Sequence, residues 1–275
     1  MNSNLFARSP LFEQEGIPVF SNQDFYTKNY TNISADHVEQ LGKSGVNPFM
    51  DEQLWKECEN VTMNQVNKKI APGQRILDVG VGLGRLLEGL PQNVYKFGMD
   101  ITFHYLKEAQ KKGVHCIFSR IEDMPFLDEQ FDMVVCTDVL EHVFDLHLCV
   151  TQILRVLKKG GYLVIRVPYK ENLQGYLLPS FPYEFAHVRT FEENGLRLMF
   201  EKIHHAEVME WETCGIWDDP SRLKWGANIP LDSKYLQVAK YFINKFINRV
   251  KKNNLSYYRD MLQKTEIAMV IRKPK

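Results

Sequence analysis

The chain has 275 residues, of which 44% are hydrophobic and 25% are charged, and its 34 Lys and Arg residues balance 34 Asp and Glu residues. This composition is typical of a globular protein with one large or two small domains, and it excludes a disordered chain, a collagen and a disulfide-stapled miniprotein. The lack of a Lys and Arg excess also argues against a dedicated nucleic-acid binder.

Cysteine usage and hydropathy indicate the compartment. The five cysteines are scattered and form no Cys-x-x-Cys pair, so they indicate neither a zinc site nor a disulfide framework and favour a reducing, cytoplasmic setting. Residues 1–20 lack a basic segment followed by an apolar run, and no run of about 18 apolar residues occurs. We therefore expect neither a signal peptide nor a membrane-spanning helix.

The amino-terminal part is predicted to be an arm followed by two helices. Residues 1–33 are rich in Asn, Ser, Pro and aromatic side chains without a clear period, which indicates either an arm that packs on another element or orders with a ligand, or equally a frayed terminus. Helices are predicted over 34–43 and 51–70, the second with Asp51 as its N-cap. We expect residues 1–70 to form the arm and a helical cap, and residues 71–275 to form the main domain.

From residue 75 onward, short apolar runs alternate with helical patterns. Strands are predicted over 75–79, 94–99, 115–119, 131–136, 162–167, 206–212 and 266–271, and helices over 83–90, 103–112, 145–157 and 191–202. Such alternation is typical of an α/β fold with a parallel sheet and right-handed crossovers. A long insertion, at about 213–264, separates the last two strands.

A glycine-rich turn follows the first of these strands. The run from Leu77 to Gly84 reads LDVGVGLG, and its glycines let the backbone turn sharply and approach a ligand at the start of the next helix. The third glycine of a dinucleotide fingerprint is replaced by Arg85, so a nicotinamide site is not favoured. Asp100 ends the second strand, where a carboxylate can accept hydrogen bonds from ribose hydroxyls.

Several segments, taken in order, resemble the class I S-adenosylmethionine-dependent methyltransferases, in the branch with ubiquinone-biosynthesis enzymes and many sugar, lipid and natural-product methyltransferases. They are Leu77–Gly84, Gly98–Asp100, Glu122–Phe126, Phe131–Val135, Asp138–His142 and Leu154–Gly161. The resemblance implies an α/β, doubly wound, mostly parallel seven-stranded sheet whose last strand is antiparallel. This is the Rossmann-like methyltransferase fold, here with an N-terminal helical cap and a helical insertion before the last strand.

The resemblance also implies that the cofactor is S-adenosylmethionine and which residues hold its methionine, ribose and adenine parts. The residues expected beside the methionine part are Asp78, Gly80, Gly82 and Gly84, and the ribose is expected to be bound by Asp100. The adenine is expected to lie by Ile101, Ile121 and Glu122, with the site closed after the fourth strand by Thr137 and Asp138. One position departs from the pattern, because many relatives carry an Asp where this chain has Arg120. Since an arginine cannot accept a hydrogen bond from the adenine amino group, that contact is either missing or supplied by Glu122 or a carbonyl.

Residues that face the methyl acceptor are expected after the fourth and fifth strands. His142 is the first candidate for a general base and His187 the second, because such folds bind ligands at the carboxyl edge of the sheet. Tyr183, Glu184 and Arg189 lie near His187 in the sequence and complete a candidate acceptor wall. For each residue alone a structural role is the stronger interpretation, and the prediction concerns the group.

The pattern Asp138-x-x-Glu141-His142 also resembles an acidic-x-x-Glu-His metal cluster of some relatives. Carboxylate and imidazole ligands suit Mg²⁺ or a transition-metal ion. Many relatives keep the Glu-His pair without a metal, and we therefore predict no metal site.

The expected activity is direct in-line methyl transfer from S-adenosylmethionine to an oxygen, nitrogen or carbon of a small-molecule, sugar or lipid-linked metabolite. The segment after the fourth strand lacks the Asn/Asp-Pro-Pro-aromatic run of enzymes that flip a nucleic-acid base, which again disfavours nucleic-acid acceptors. The main alternative is a catalytically weak or inactive S-adenosylmethionine-binding domain that acts through a protein or membrane partner, with Arg120 as its sequence support. A nicotinamide oxidoreductase is a third and less favoured hypothesis.

Residues 234–252 predict an aromatic, basic amphipathic helix within the insertion. Its apolar residues recur at helical spacing, and all of its charged residues are Lys or Arg. Such a helix can lie on an anionic membrane surface, which would make the protein peripheral there. The alternative is a helix that packs on the core and exposes a basic side to water.

Overall fold

The computed structural model describes residues 5–217, 245–246 and 248–275, and a single sheet runs through them. Its strands are β1 (Phe12–Gln14), β2 (Ile17–Val19), β3 (Arg75–Val79), β4 (Tyr95–Asp100), β5 (His115–Phe118), β6 (Phe131–Thr137), β7 (Leu157–Pro168), β8 (Glu207–Cys214) and β9 (Glu266–Arg272). They lie in the order β1-β2-β5-β4-β3-β6-β7-β9-β8. Strands β5, β4, β3, β6 and β7 are mutually parallel, whereas β9 is antiparallel to both β7 and β8.

The predicted α/β fold is confirmed, including the antiparallel last strand. Strands β3 to β9 are the seven expected ones, and all but β7 begin and end within about two residues of their predicted bounds. Strand β7 begins earlier, at Leu157, because Leu157 pairs with Phe131 ahead of a register shift. The division of the chain at residue 70 stays a prediction.

Two further strands come from the segment that we expected to be an irregular arm. Strands β1 and β2 form a hairpin whose turn residues, Glu15 and Gly16, both have positive φ angles, of 53° and 77°. Such a two-residue turn matches the twist of the strands it joins. Val19 then pairs with Phe118 of β5, so the hairpin extends the sheet beyond its parallel edge.

Helices cover both faces of the sheet. They are α1 (Phe25–Ser44), α2 (Glu52–Asn67), α3 (Arg85–Glu88), α4 (Phe103–Lys111), α5 (Leu146–Val156), α6 (Glu193–Arg197) and α7 (Leu255–Met261), with a 3₁₀-helix over Leu173–Leu177 and a π-helix over Leu198–Ile203. None of these described helices is both long enough and apolar enough to cross a bilayer. Most of the predicted basic helix, 234–252, lies outside the described residues.

Side-chain caps determine where the first two helices begin. Helix α1 starts at Phe25 rather than at residue 34, because Asp24 accepts a hydrogen bond from the Thr27 N–H while the Thr27 hydroxyl accepts one from the Asp24 N–H. This reciprocal pair is a capping box built with threonine in the third position. Helix α2 begins as predicted, with Asp51 accepting from the first turn.

The register of the sheet positions the functional site. Asp78 of β3 pairs with Gly98 of β4 on one side and with Val135 of β6 on the other, so the carboxyl ends of the three strands lie side by side. Strand order reverses between β3 and β6, and a doubly wound sheet opens a crevice at that point. Alternate residues of β3 pack into opposite cores, with Leu77 on one face and Ile76 on the other, which buries the sheet on both sides.

A substitution at Gly84 tests how closely the glycine turn packs against helix α4. It has a φ of +70°, and a Cβ at this position would lie 2.9 Å from both Cα and Cβ of Ala109 in α4. Gly84→Ala therefore combines a left-handed backbone with overlap, and we expect a loss of about 2–4 kcal/mol in the free energy of unfolding, measured by urea denaturation.

The matched control for this substitution is Gly113→Ala. Gly113 has a φ of +79°, but a Cβ there meets no atom within 4 Å, so only the backbone cost of about 1 kcal/mol is expected. Equal losses for the two variants would contradict the close approach of α4 to the turn.

Candidate functional site

A cavity of about 810 Å³ lies at the carboxyl ends of the central strands. Its floor includes Asp78, Asp100, Asp138 and Arg166. Asp100 is the last residue of β4 and Asp138 directly follows β6, whereas Asp78 and Arg166 lie near the ends of β3 and β7. Helices α1 and α2 and the loop that follows β7 supply the other walls. The cavity is therefore built where the switch of strand order leaves a crevice.

Asp100 holds the glycine turn at one side of this cavity. Its Oδ2 accepts a hydrogen bond from the Gly82 N–H at 3.1 Å, and its Oδ1 accepts from the N–H and the hydroxyl of Thr102 at 3.0 and 3.1 Å. Burial raises the pKa of Asp100 to about 6, and these donors oppose the rise. The carboxylate is thus fixed in orientation and partly protonated near neutral pH.

Asp78 presents a polar atom that lacks a partner. Among the described residues, none donates a hydrogen bond to its buried Oδ1. Burial, together with the neighbouring Asp100 carboxylate, raises the pKa of Asp78 to about 8. A buried acceptor of this kind is costly unless a ligand donates to it or brings a positive charge.

The glycine turn leaves room beside these carboxyl groups. Gly80 has a φ of +75°, and a Cβ there would overlap Val139 Cγ2 at 2.2 Å, so the position requires glycine. At Gly82, with a φ of +50°, only the Gly80 carbonyl oxygen would approach an added Cβ, at 4.0 Å. A ligand can therefore approach the backbone at Gly82.

Ile101, Ile121 and Glu122 also line the cavity, as predicted. Arg120 is paired here: its guanidinium donates to Asp24 and lies 3.1 Å from Oε1 of Glu122. The guanidinium also lies over the Tyr26 ring, 5.0 Å from its centroid. Arg120, where the chain departs from the family pattern, thus links the start of α1 to the loop after β5 through ion pairs.

Thr137 and Asp138 close the cavity after β6, and Asp138 is occupied by an ion pair. Asp138 accepts hydrogen bonds from the buried guanidinium of Arg166, which also donates to the Thr62 hydroxyl of α2 at 3.2 Å. The φ of Asp138 is +56°, and its N–H donates to the Arg166 carbonyl at 2.9 Å. Asp138 is therefore held in place by hydrogen bonds that involve both its backbone and its carboxylate.

His142 and His187, which the sequence predicted separately, meet at the other end of the cavity. Their ring centroids are 4.7 Å apart, and Nε2 of His142 and of His187 lie 3.8 and 4.0 Å from Oε1 of Glu141. Burial, together with the neighbouring His187, lowers the pKa of His142 to about 4. His142 is thus a neutral imidazole at physiological pH.

Three of the predicted site residues do not line this cavity, and the roles assigned to them from the sequence stay predictions. Gly84 packs against α4 instead, as described above. The Arg189 guanidinium donates to the carbonyls of Leu140, Val143 and Phe144 and so stabilises the turn after β6. Glu184 lies by a smaller surface pocket, with its N–H donating to Asn29 at 3.1 Å. Tyr183 lines the cavity and donates to Asp36 at 2.9 Å.

An aromatic wall and two glutamates, one half-buried and one buried, are the features that sequence reasoning missed. The cavity is also lined by Tyr26, Tyr30, Phe49, Trp55, Tyr105, Tyr176, Phe181, Trp217, Glu171 and Glu266. The aromatic residues between 25 and 55 were the available signal, but those in the predicted arm show no clear period, and Phe49 and Trp55 fall in the predicted helical cap. Only the packing of α1 and α2 against the sheet edge brings them to the site.

Comparison with known proteins agrees with this geometry. A family model described as a methyltransferase domain matches residues 77–165. The O-methyltransferase rstn1 of Aspergillus nomiae is 35% identical over 154 residues, which are 52% of this chain and 67% of that protein. The ubiquinone biosynthesis O-methyltransferase of Xylella fastidiosa is 28% identical over 239 residues, which are 80% of this chain and 95% of that protein.

Two further likenesses extend the comparison. An uncharacterized protein of Methanocaldococcus jannaschii is 36% identical over 108 residues, and this match spans 51% of its length, about half. The solved phosphoethanolamine N-methyltransferase 2 of Haemonchus contortus, in complex with S-adenosylhomocysteine, has a TM-score of 0.57 at 16% identity. That match covers 94% of this chain and 62% of the solved chain, and at this identity it concerns the fold.

The fold, the glycine turn and the buried carboxyl groups define a Rossmann-like methyltransferase. The chain belongs to the class I S-adenosylmethionine-dependent methyltransferase family, and its cofactor is S-adenosylmethionine. The residues present fit this cofactor. Asp78 offers a buried oxygen without a donor among the described residues, and Gly82 leaves the backbone open to a ligand.

The raised pKa values of Asp78 and Asp100, about 8 and about 6, predict pH-dependent cofactor binding. Below its pKa each carboxyl group holds a proton, and a positively charged ligand favours the ionised form. Binding of S-adenosylmethionine should therefore release protons, and its affinity should rise between about pH 6 and pH 8. Calorimetric titration at pH 7 in two buffers of different ionisation enthalpy measures the released protons.

Asp78→Asn is the control for this measurement, because it removes the group with the higher pKa while keeping its shape. The variant should release fewer protons and show a weaker pH dependence. Proton uptake on binding, or an affinity that falls from pH 6 to pH 8, would contradict the assigned pKa directions.

Proposed function

We propose that the protein transfers the methyl group of S-adenosylmethionine to a hydroxyl oxygen of a small, ring-containing metabolite. The observation that carries the proposal is the cluster of Glu141, His142 and His187, whose acceptor atoms face the cavity that the glycine turn also lines. The aromatic wall suits a flat acceptor. Two of the named relatives are O-methyltransferases, which supports oxygen as the acceptor atom.

We propose that the cofactor lies in the half of the cavity next to β3 and β4. The residues that line this half of the cavity are Asp78, Gly80, Gly82, Asp100, Ile101, Ile121, Glu122, Thr137 and Asp138. When bound, S-adenosylmethionine supplies a methyl group activated by a positively charged sulfur. The protein's own task is to bind the acceptor in line with that group and to keep water away.

The cluster of Glu141, His142 and His187 orients the acceptor hydroxyl. Nδ1 of His142 lies 3.2 Å from the Ala186 carbonyl oxygen, which can only accept, so Nδ1 carries the proton and Nε2 keeps its lone pair. Burial raises the pKa of Glu141 well above its ordinary value. The proton of the acceptor hydroxyl is therefore shared by the cluster rather than assigned to one residue.

Helix α1 covers this end of the cavity. The Tyr30 hydroxyl donates to the Ala186 carbonyl at 3.1 Å, and the Tyr30 ring meets the edge of the His142 ring, with centroids 5.2 Å apart. Asn29 donates to the Phe185 carbonyl at 2.9 Å. These contacts join α1 to the loop after β7 and shield the reacting groups from water.

An assay of S-adenosylhomocysteine release with matched phenols, aliphatic alcohols and amines tests the acceptor class. We expect phenolic hydroxyls to be methylated, and we expect His142→Gln to lower kcat by about 10²–10⁴-fold because it removes an acceptor of the hydroxyl proton. Calorimetric affinity for S-adenosylmethionine should stay within about threefold in this variant, which separates chemistry from cofactor binding.

Two controls accompany that assay. His115→Gln replaces an exposed histidine at the start of β5, outside the cavity lining, and should leave turnover unchanged. Asp100→Ala should abolish cofactor binding. Methylation of amines alone would overturn the oxygen assignment. Turnover of no acceptor with intact cofactor binding would favour a domain that acts through a partner.

We further propose that residues 234–252 bring the enzyme to an anionic membrane surface where a lipid-linked acceptor is presented. The support is the sequence pattern of that segment, in which Lys240 and Lys245 belong to the basic side. Sedimentation with vesicles that contain anionic lipid should be lost in Lys240→Glu plus Lys245→Glu and in neutral vesicles. Equal sedimentation of the variant would contradict the proposal.

A further inference from the structure

We propose that Glu141, His142 and His187 bind a divalent transition-metal ion at the acceptor end of the cavity. Each residue offers one ligand atom, and the three atoms lie within 4.8 Å of one another. Glu141 and His142 come from the turn after β6, whereas His187 comes from the loop after β7. The fold thus brings together a ligand set that is separated along the chain.

Glu141 is the first argument for a cation at this place. Its side chain is fully buried, and neither carboxylate oxygen has a hydrogen-bond partner among the described residues. The nearest ring nitrogens, at 3.8 and 4.0 Å, are too distant for hydrogen bonds. A buried carboxylate without a donor is costly, and a bound cation removes that cost.

The hydrogen bonds on the far sides of the two imidazole rings are the second argument. Nδ1 of His142 faces the Ala186 carbonyl at 3.2 Å, and Nδ1 of His187 lies 2.5 Å from the Glu171 carboxylate. Because both partners accept, each Nδ1 carries the proton, and each Nε2, 3.8 or 4.0 Å from Oε1 of Glu141, keeps its lone pair. Histidines that bind metals are held in the same way, by a carbonyl or carboxylate on the other nitrogen.

The geometry and chemistry of the donors indicate the class of ion. Ligand atoms bound at about 2.0–2.2 Å lie about 3–3.6 Å apart, which small side-chain rotations reach from the 3.8 and 4.0 Å in the structure. Two imidazoles and one carboxylate suit Zn²⁺, Co²⁺, Fe²⁺ or Mn²⁺ better than Mg²⁺ or Ca²⁺, which prefer oxygen ligands.

This donor set differs from the one that the sequence pattern suggested. The pattern pointed to Asp138, Glu141 and His142, but Asp138 is paired with the buried guanidinium of Arg166. His187 takes the third place instead. The proposal therefore departs from the expectation of no metal, and its third ligand is distant in sequence from the other two.

The inference deepens the proposed function and rests on it only for the role of the ion. Three protein ligands leave coordination positions open, and the cluster lines the cavity. A metal ion held there would lower the pKa of a coordinated hydroxyl so that its proton leaves to solvent, and His142 and His187 would then act as ligands in place of the proton-accepting role proposed for the cluster. Metal binding itself does not depend on the identity of the acceptor.

The test is a metal titration of the full chain after treatment with EDTA and dialysis. Zn²⁺, Co²⁺, Mn²⁺ and Mg²⁺ are each added, and bound metal is measured by equilibrium dialysis and mass spectrometry. We expect one Co²⁺ or Zn²⁺ per chain, weaker binding of Mg²⁺, and a visible absorption band for bound Co²⁺. Glu141→Gln and His187→Gln should each weaken Co²⁺ binding by more than about 100-fold, and Glu171→Gln by about 10–100-fold.

His115→Gln is the matched control for adventitious binding by an exposed histidine and should keep the site intact. Far-ultraviolet circular dichroism of every variant checks that it folds, and Glu171→Gln retains all three ligands if a ligand variant does not fold. Absence of stoichiometric Co²⁺ binding, or equal binding by the wild type and the folded variants, would overturn the inference.

The same samples separate this inference from the proposed function. Methyl transfer to a phenol by metal-free enzyme that binds no Co²⁺ would overturn the metal site and leave the proposed function standing. One bound Co²⁺ per chain, lost in Glu141→Gln, without transfer to any hydroxyl would support the metal site and count against the acceptor assignment.

Discussion

The buried guanidinium of Arg166 sets the charge balance at the carboxyl edge of the sheet. Its side chain is 4% exposed, and it joins Asp138 after β6 to Thr62 of α2. Its positive charge also opposes the rise in pKa that burial imposes on three further carboxyl groups, those of Asp78, Glu141 and Glu266. Because the parallel register pairs Thr137 with Arg166, the ion pair follows directly from the pairing of β6 with β7. So many acidic groups could not be buried together without this cation.

The strands and the cofactor half of the site were accessible from the sequence because local patterns encode them. Strand β6 is apolar almost throughout, as expected of a strand buried on both faces, and the glycine turn requires its residue type through positive φ angles at Gly80 and Gly82. Asp100 was identified by its place at the end of β4, and the structure shows that it also fixes the turn through Gly82. In each case the function of a residue depends on neighbours close in sequence or in an adjacent strand.

The acceptor half was less accessible, because its contacts join distant segments. Nothing local distinguishes Arg189, which binds three carbonyls of the turn after β6, from a residue that binds a ligand. The β1–β2 hairpin was missed because its strands are short and Pro18 interrupts the second one. The early start of α1 was missed because Asp24 and Thr27 form a capping box without the usual Glu or Gln. These features follow from tertiary packing or from less common local motifs.

Arg120, which departs from the family pattern, has a structural role as the centre of an ion-paired network. Asp24 uses one carboxylate oxygen to accept from the Thr27 N–H at the start of α1 and the other to bind Arg120. Arg120 in turn holds Glu122, on the side of the cavity assigned to adenine. The first turn of α1 and the loop after β5 therefore share one carboxylate. An arginine at this position cannot accept from adenine, but it couples the order of the two halves of the site through a single ion-paired network.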